Sequence, residues 1–392
     1  MINTIRPVHK NASLWIIFAT TFISTMGVNL IAPALPATAA ALNIPKVNLG
    51  WLITTFTLPG LLLTPLIGML ADKYGRKQVL APSLIVFGLA GSGCFLAKSS
   101  EMLLLLRMVQ GIGGAGLILL GTTLIGDMFH GLDRSVAMGE NASILSIATG
   151  VSPLAGGLLA LISWNYPYLL FIFAIPLAVA VILMDCPTIQ NDFSLNRYVA
   201  DIWFLIKRPR PLALFGAGIL TFVSLYGGIL TYLGILLNKN FGAGSSMIGL
   251  YLSVMSLAAA ISSSQAGRLH KRFLKSYLVL AGFTFYAFSL FLIPFAKSLP
   301  ELFLPVVLFG IGHGINMPSL QTIATELAPD RYRGSLVSLF GLAMRIGQTI
   351  GPPILGIMPN LNSVFWITGG IVIILPSFGY IAIRLAHGQD AI

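Results

Sequence analysis

A chain of 392 residues that is 56% hydrophobic and 9% charged, with a mean hydropathy of +0.89, carries more apolar surface than one soluble core can hide. Its solvent is therefore lipid. The formal charge of +11 would suggest nucleic acid in a soluble protein, but spread through loops between apolar runs it is a topology signal, and nothing suggests a nucleic-acid partner.

In chain order, apolar runs of about 20 residues, each able to cross roughly 30 Å of hydrocarbon, predict an all-α membrane protein of twelve transmembrane helices. The first six cover 14–35, 48–70, 78–97, 102–126, 136–161 and 166–184, and the second six 212–237, 246–266, 276–296, 302–325, 335–358 and 362–385. The run 14–35 is long for a signal-peptide core, and removing it would leave an odd helix, so it reads as the first membrane helix. Arg6, Lys10, Lys73, Arg76, Lys77, Arg134, Arg197, Arg208, Arg268, Arg331 and Arg384 fall with other basic residues on the side of the N-terminus. The opposite loops hold only Lys46, Lys98, Lys239 and Lys297. By the positive-inside rule both termini are cytoplasmic, in a multi-pass protein of the inner membrane. Cys94 and Cys186 sit at opposite ends of different helices, which argues against a disulfide or a metal site.

The chain repeats itself at an offset of 199, the difference between Gly68 and Gly267. In that register Gly111-Ile-Gly meets Gly310-Ile-Gly, Ala97-Lys98 meets Ala296-Lys297, Arg134 meets Arg333 and Ser152-Pro153 meets Gly351-Pro352. Chance likeness among apolar helices would not keep polar loop residues aligned without gaps. The expected domains are a six-helix bundle over 1–184, a cytoplasmic connector over 185–211 containing Arg208-Pro-Arg-Pro, and a second bundle over 212–392. The halves are related by a pseudo-two-fold axis along the membrane normal, and substrate is expected near the midplane where they meet.

Gly68-Met-Leu-Ala-Asp72-Lys-Tyr-Gly75-Arg76-Lys77 lies in the short inner loop after helix two, where glycines permit a tight turn and charges avoid lipid. It resembles the loop signature of the major facilitator superfamily, and with the repeat the resemblance covers all twelve helices. Arg107-Met-Val-Gln110-Gly111 in helix four and Gly150-Val-Ser-Pro153-Leu-Ala-Gly156-Gly157 in helix five resemble the drug:proton antiporter branch. The resemblance implies that Asp72 sits against the N-terminus of helix eleven near Ser335, with Arg76 pairing to Asp127; the alternative is that these charges only anchor the loop at the headgroups. It also implies that Arg107, roughly 7 Å inside helix four by helical rise, faces the cavity and assists proton movement, with Asn29 as a neighbour. Snorkelling is the other reading of Arg107. Gly150, Pro153, Gly156 and Gly157 are expected to kink helix five and let it pack closely, and the family links this string to export. Ser152 stands where a glycine is usual.

Helix one offers Asn29 where many exporters of cationic drugs have a carboxylate. The deep ionisable groups are instead His313 in helix ten and Arg345 in helix eleven, roughly 15 Å from a surface. His313 is the leading candidate for a proton-coupled group, against the reading of a packed histidine. A midplane arginine is costly unless it faces water, a carbonyl or an anion. Glu140 and Glu326 are candidates to take a proton from the cytoplasm, or else to pair with Arg134 and Arg331. Tyr226, Tyr232, Asn316, Gln321 and Gln348 offer hydrogen bonds and ring faces to a pocket, or ordinary interhelical bonding.

No phosphate-cradling loop, metal cluster or catalytic constellation appears, so no cofactor is expected and an enzyme is the weakest reading. The sequence therefore reads as a monomeric secondary transporter with small-molecule substrate and protons as partners in the bilayer, performing proton-coupled antiport of amphipathic drugs by alternating access. Two alternatives remain: a carrier of anionic, neutral or lipid-linked substrates, and a non-transporting receptor or scaffold of the same fold.

Overall fold

The computed structural model describes residues 11–184, 205, 207–327 and 333–386, with 333, 334 and 375–386 as backbone. Arg6, Lys10, Cys186, Arg197, Arg331 and most of the 185–211 connector lie outside these residues, as does the side chain of Arg384. Every regular element among the described residues is a helix.

Ten stretches of the described residues are long and apolar enough to cross a membrane. They are α1 (Ala12–Ala41), α2 (Lys46–Tyr74), α3 (Arg76–Leu96), α4 (Ser100–Met128), α5 (Gly131–Leu159), α6 (Tyr166–Leu183), α7 (Pro209–Phe241), α8 (Ser245–Ser264), α9 (Lys275–Phe295) and α10 (Pro300–Glu326). Two further helices, α11 (Arg333–Gly356) and α12 (Leu361–Ala386), follow. They fall outside the ten, against an expectation of twelve. α11 carries Arg345, Gln348 and two prolines, and the described apolar stretch of α12 is Leu361–Ile374. The helices mostly begin and end within a few residues of the expected bounds. The expected connector ends sooner, because Pro209 and Pro211 occupy the first turn of α7, where a missing N–H costs no intrahelical bond.

The chain divides into two compact units: Met1–Ile44 with Thr55–Phe193, and Pro45–Thr54 with Ser194–Ile392. In the first unit, Pro33 and Pro36 break α1 into Ala12–Asn29, a 3-10 turn and Leu35–Ala41. The chain of α4 breaks at Ala115–Gly116, and Thr64 Oγ1 donates to the Ala115 carbonyl there at 2.8 Å. Gly156 of α5 lies so close to α1 that a Cβ would overlap the Leu30 carbonyl oxygen.

In the second unit, Val223–Leu233 of α7 is a π-helix of 11 residues, and Thr231 Oγ1 donates to the Tyr226 carbonyl five residues back at 2.6 Å. Such wide turns re-aim side chains and recur at functional positions. Pro353 removes the donor that Thr349 O would use in α11. Thr54 Oγ1 supplies one at 2.8 Å, and Lys46 Nζ caps the Met358 carbonyl at 3.2 Å.

The contact at Gly156 sets a sharp expectation for two single methyl groups on one helix. Gly156→Ala should lower stability by about 1–3 kcal/mol through overpacking. Gly139→Ala, with nothing within 4 Å of the added carbon, should raise it by up to about 1 kcal/mol through helix propensity. Thermal unfolding of the purified variants reads the pair, and equal shifts would contradict the packing account.

Candidate functional site

Three groups of polar side chains are built into the helices, and the first is the loop between α2 and α3. Ala71 O accepts from Gly75 N at 3.0 Å, closing the helix. Gly75 then takes φ +100°, a conformation that side chains resist, and Arg76 opens α3. Asp72 lies one turn before Arg76 at 3.6 Å, and Arg76 Nε is paired with Asp127 Oδ2 near the end of α4. Lys77 Nζ donates to the Met184 carbonyl past α6 at 2.8 Å. The expected Arg76–Asp127 pair is therefore formed. A Cβ at Gly68 would meet Leu119 at 3.8 Å, an ordinary contact distance.

The second group surrounds Arg107, which is 1% exposed. Its Nη1 donates to Gln110 Oε1 at 2.7 Å, and the guanidinium stands 4.3 Å from the Phe56 ring centroid, with Tyr168 and Cys94 close enough to interact electrostatically. This is neither snorkelling nor exposure to an open cavity: the charge is enclosed between α2, α3, α4 and α6, held by an amide and a ring face. Asn29 donates its amide to its own helix at Thr25 O, 3.0 Å away. Further along α5, Pro153, Gly156 and Gly157 are buried and Gly150 is half-buried, while Ser152 Oγ returns to the Ala148 carbonyl. Glu140 is half-buried and lines a groove beside the first turn of α1.

The third group lies in the second unit. Tyr286 OH of α9 and His313 Nδ1 of α10 are 2.8 Å apart, with the Phe222 ring edge-on to the imidazole at 6.4 Å. One turn along α10, Asn316 Nδ2 donates to Thr221 Oγ1 of α7 at 2.8 Å, and Thr221 donates onward to the Ala217 carbonyl. Asn316 is wholly buried. Tyr226 packs on Phe222 at 5.8 Å and interacts electrostatically with Arg345 of α11. Gln348 is half-buried one turn beyond Arg345. Tyr232 is fully buried and donates to the Pro352 carbonyl at 2.9 Å, so its hydroxyl ties α7 to α11. Glu326 pairs with Lys275 of α9, a partner that sequence reasoning did not name. Gln321 is exposed.

Chemically, the third group pairs a phenol with an imidazole: the Tyr286 hydroxyl donates to Nδ1 or accepts from it according to which ring nitrogen carries the proton. Sequence reasoning missed Tyr286, Thr221, Phe56 and Tyr168. A signal for Tyr286 existed: in the 199 register it replaces Phe87, so a hydroxyl was added where the first half keeps a bare ring.

Residues 17–237 and 214–388 each match the Major Facilitator Superfamily. Among curated proteins, the chain is 25% identical over 373 residues to the bacillibactin exporter of Bacillus subtilis, covering 91% of this chain and 92% of that one. It is 26% identical over 389 residues to the class C tetracycline resistance protein of Escherichia coli, covering 92% and 94%. Among solved structures, a bacterial homologue of the human lysosomal transporter Spinster, in an inward-facing and occupied conformation, aligns with a TM-score of 0.79 at 18% identity, over 95% of this chain and 96% of that one.

The Arg76–Asp127 pair is testable by a double-mutant cycle. Arg76→Ala and Asp127→Ala should each destabilise, and the double variant should recover a coupling of about 0.5–3 kcal/mol. Strict additivity in thermal unfolding would mean the pair contributes nothing.

Proposed function

This chain belongs to the Major Facilitator Superfamily and is a membrane transporter, and from that premise we propose that it works as a proton-coupled exporter of small amphipathic organic compounds. In this reading all twelve helices span the inner membrane, with both termini cytoplasmic and the connector between two six-helix domains. A single copy suffices, and the domains rock about a central site in alternating access. Export is supported by the names of its relatives, an exporter and a resistance protein, and by the glycine-proline string that seats α5 against α1.

The observation that carries proton coupling is the Tyr286–His313 hydrogen bond at 2.8 Å. It sits among Phe222, Tyr226 and the buried Asn316–Thr221 pair, so a titratable ring is held in apolar surroundings by a partner able to reverse its bond. His313 is then the coupling group, Tyr286 its positioning residue, and Asn316, Tyr226 and Gln348 the polar edge of the substrate path. Arg345 is the reason to keep a second substrate class in view. A guanidinium at this depth favours an anionic or polar neutral compound, because a charge inside the membrane is retained where a partner or water meets it. Asp72 and Arg76 form the gate that closes the inner end, and Arg107 stiffens the first domain.

Inverted vesicles carrying an internal pH dye test both parts. After energisation, addition of a transported compound should release protons. His313→Ala should leave equilibrium binding measurable and abolish substrate-dependent proton movement; unchanged coupling would remove histidine from the mechanism. Arg345→Gln should weaken anionic compounds by about tenfold or more, as loss of a charged hydrogen bond does, and spare neutral ones. Equal losses for both classes would mean Arg345 does not meet substrate.

A further inference from the structure

The loop between α2 and α3 has a counterpart between α8 and α9, and the two differ in charge. In the 199 register Gly68 to Lys77 meets Gly267 to Ser276, with Arg268 opposite Met69, His270 opposite Ala71, Lys271 opposite Asp72 and Leu274 opposite Gly75. The ion pair at the base is common to both. Lys275 stands opposite Arg76 and Glu326 opposite Asp127, and each couple is joined.

In the first loop every cation is met by the protein. Arg76 has the carboxylates of Asp72 and Asp127, Lys77 has the Met184 carbonyl, and Lys73 stands 5.1 Å from the Tyr74 ring centroid. The second loop is built otherwise. A short helix, Ala266–Arg272, carries Arg268, Lys271 and Arg272, which at spacings of three and four share one face, and all three are exposed. His270 of the same helix turns to α10, where its Nε2 and Ser319 Oγ lie 3.0 Å apart. Arg268 donates to the neutral Gln265 side chain at 2.7 Å, which leaves its charge uncompensated. Among the described residues neither Lys271 nor Arg272 makes an ion pair or a side-chain hydrogen bond. Phe273 and Leu274 follow directly, 54% and 66% exposed.

Keeping a loop on its side of the membrane calls for positive charge, and charges that the protein itself partners serve that end, as those of the first loop do. The rule gives no reason for two apolar side chains to stand uncovered beside three cations. In water such side chains are unfavourable, and against a hydrocarbon chain they are not. The run Lys271-Arg272-Phe273-Leu274 therefore matches a molecule with an anionic head and an apolar tail, whereas a free phosphate would use only its first two residues.

We propose that Arg268, Lys271 and Arg272 hold the phosphate of an anionic phospholipid such as phosphatidylglycerol, with its acyl chains against Phe273 and Leu274. Guanidinium and ammonium groups grip a phosphate through charged hydrogen bonds, and basic clusters at the membrane edge attract anionic headgroups. The assignment to the inner leaflet rests on the topology proposed above; the site itself does not depend on transport.

The test uses the purified full-length chain. Phosphatidylglycerol and phosphatidylethanolamine with identical chains are added to the delipidated protein, and retained lipid is counted by native mass spectrometry. The wild type should retain phosphatidylglycerol at about tenfold lower concentration, and the double variant Lys271→Gln, Arg272→Gln should erase that preference. Removal of two cations from other loops, Lys73→Gln with Arg134→Gln, should keep it. Should the first double variant fold poorly, a photoreactive phosphatidylglycerol on the wild type should label the peptide that contains Phe273 and Leu274. Equal retention of the two lipids by the wild type, equal loss of preference in both double variants, displacement of the lipid by inorganic phosphate, or adducts lying elsewhere would each overturn the proposal. Loss of transport with intact lipid selectivity would count against the exporter reading alone.

Discussion

In hydrocarbon no water stands ready to pair with a carbonyl that a helix leaves open, and most of the polar side chains of this protein answer to that constraint. Prolines and breaks interrupt its helices repeatedly, and at several of them a neighbouring helix supplies a donor. Thr54 serves Thr349 O, the carbonyl that Pro353 leaves without a donor, Thr64 serves Ala115 O at the break in α4, and Tyr232 serves Pro352 O. Asn165 does the same at the end of α3, reaching Phe95 O. The donor and the irregularity are thus one feature seen from two helices. These side chains make the carbonyls freed by prolines and breaks tolerable inside the bundle.

Charges obey the same rule more severely. Asp72, Arg76, Lys77 and Asp127 gather at a turn, where Arg76 meets the two carboxylates and Lys77 the Met184 carbonyl just past α6. Arg107 cannot leave the bundle, and is held by Gln110 and the face of Phe56. In the second unit a milder set, His313 with Tyr286 and Asn316 with Thr221, occupies the same kind of interior. A guanidinium keeps its charge, whereas an imidazole can shed its proton, so the first must be met by polar and aromatic partners and the second fits an apolar interior as a neutral ring.

The two halves align at an offset of 199, and several of their differences fall at polar side chains. Where the first has Phe87, Gly114 and Leu117, the second has Tyr286, His313 and Asn316. Where the second has Leu339 and Phe340 packed in its core, the first has a half-buried Glu140 and an Asn141 held by Thr21. The common framework of glycines and prolines lets each half accept such changes without losing its helices.

The sequence by itself determined the membrane-spanning character, the near positions of the helices, the duplication and the loop signature, because each depends on local hydrophobicity or on spacing along the chain. The pairing of Arg76 with Asp127 came from the family resemblance of that loop, and the structure forms it. Only the tertiary structure decided what lies beside a side chain inside the bundle. Arg107, read as facing a cavity or the headgroups, is enclosed; Tyr232, read as a pocket group, is tied to Pro352; Glu326 found Lys275. The π-helical turn of α7 was equally hidden. Hydropathy fixes how deep a residue sits on its helix. The angle at which it meets its neighbours depends on packing across helices far apart in sequence, and no periodicity along one strand of text records that.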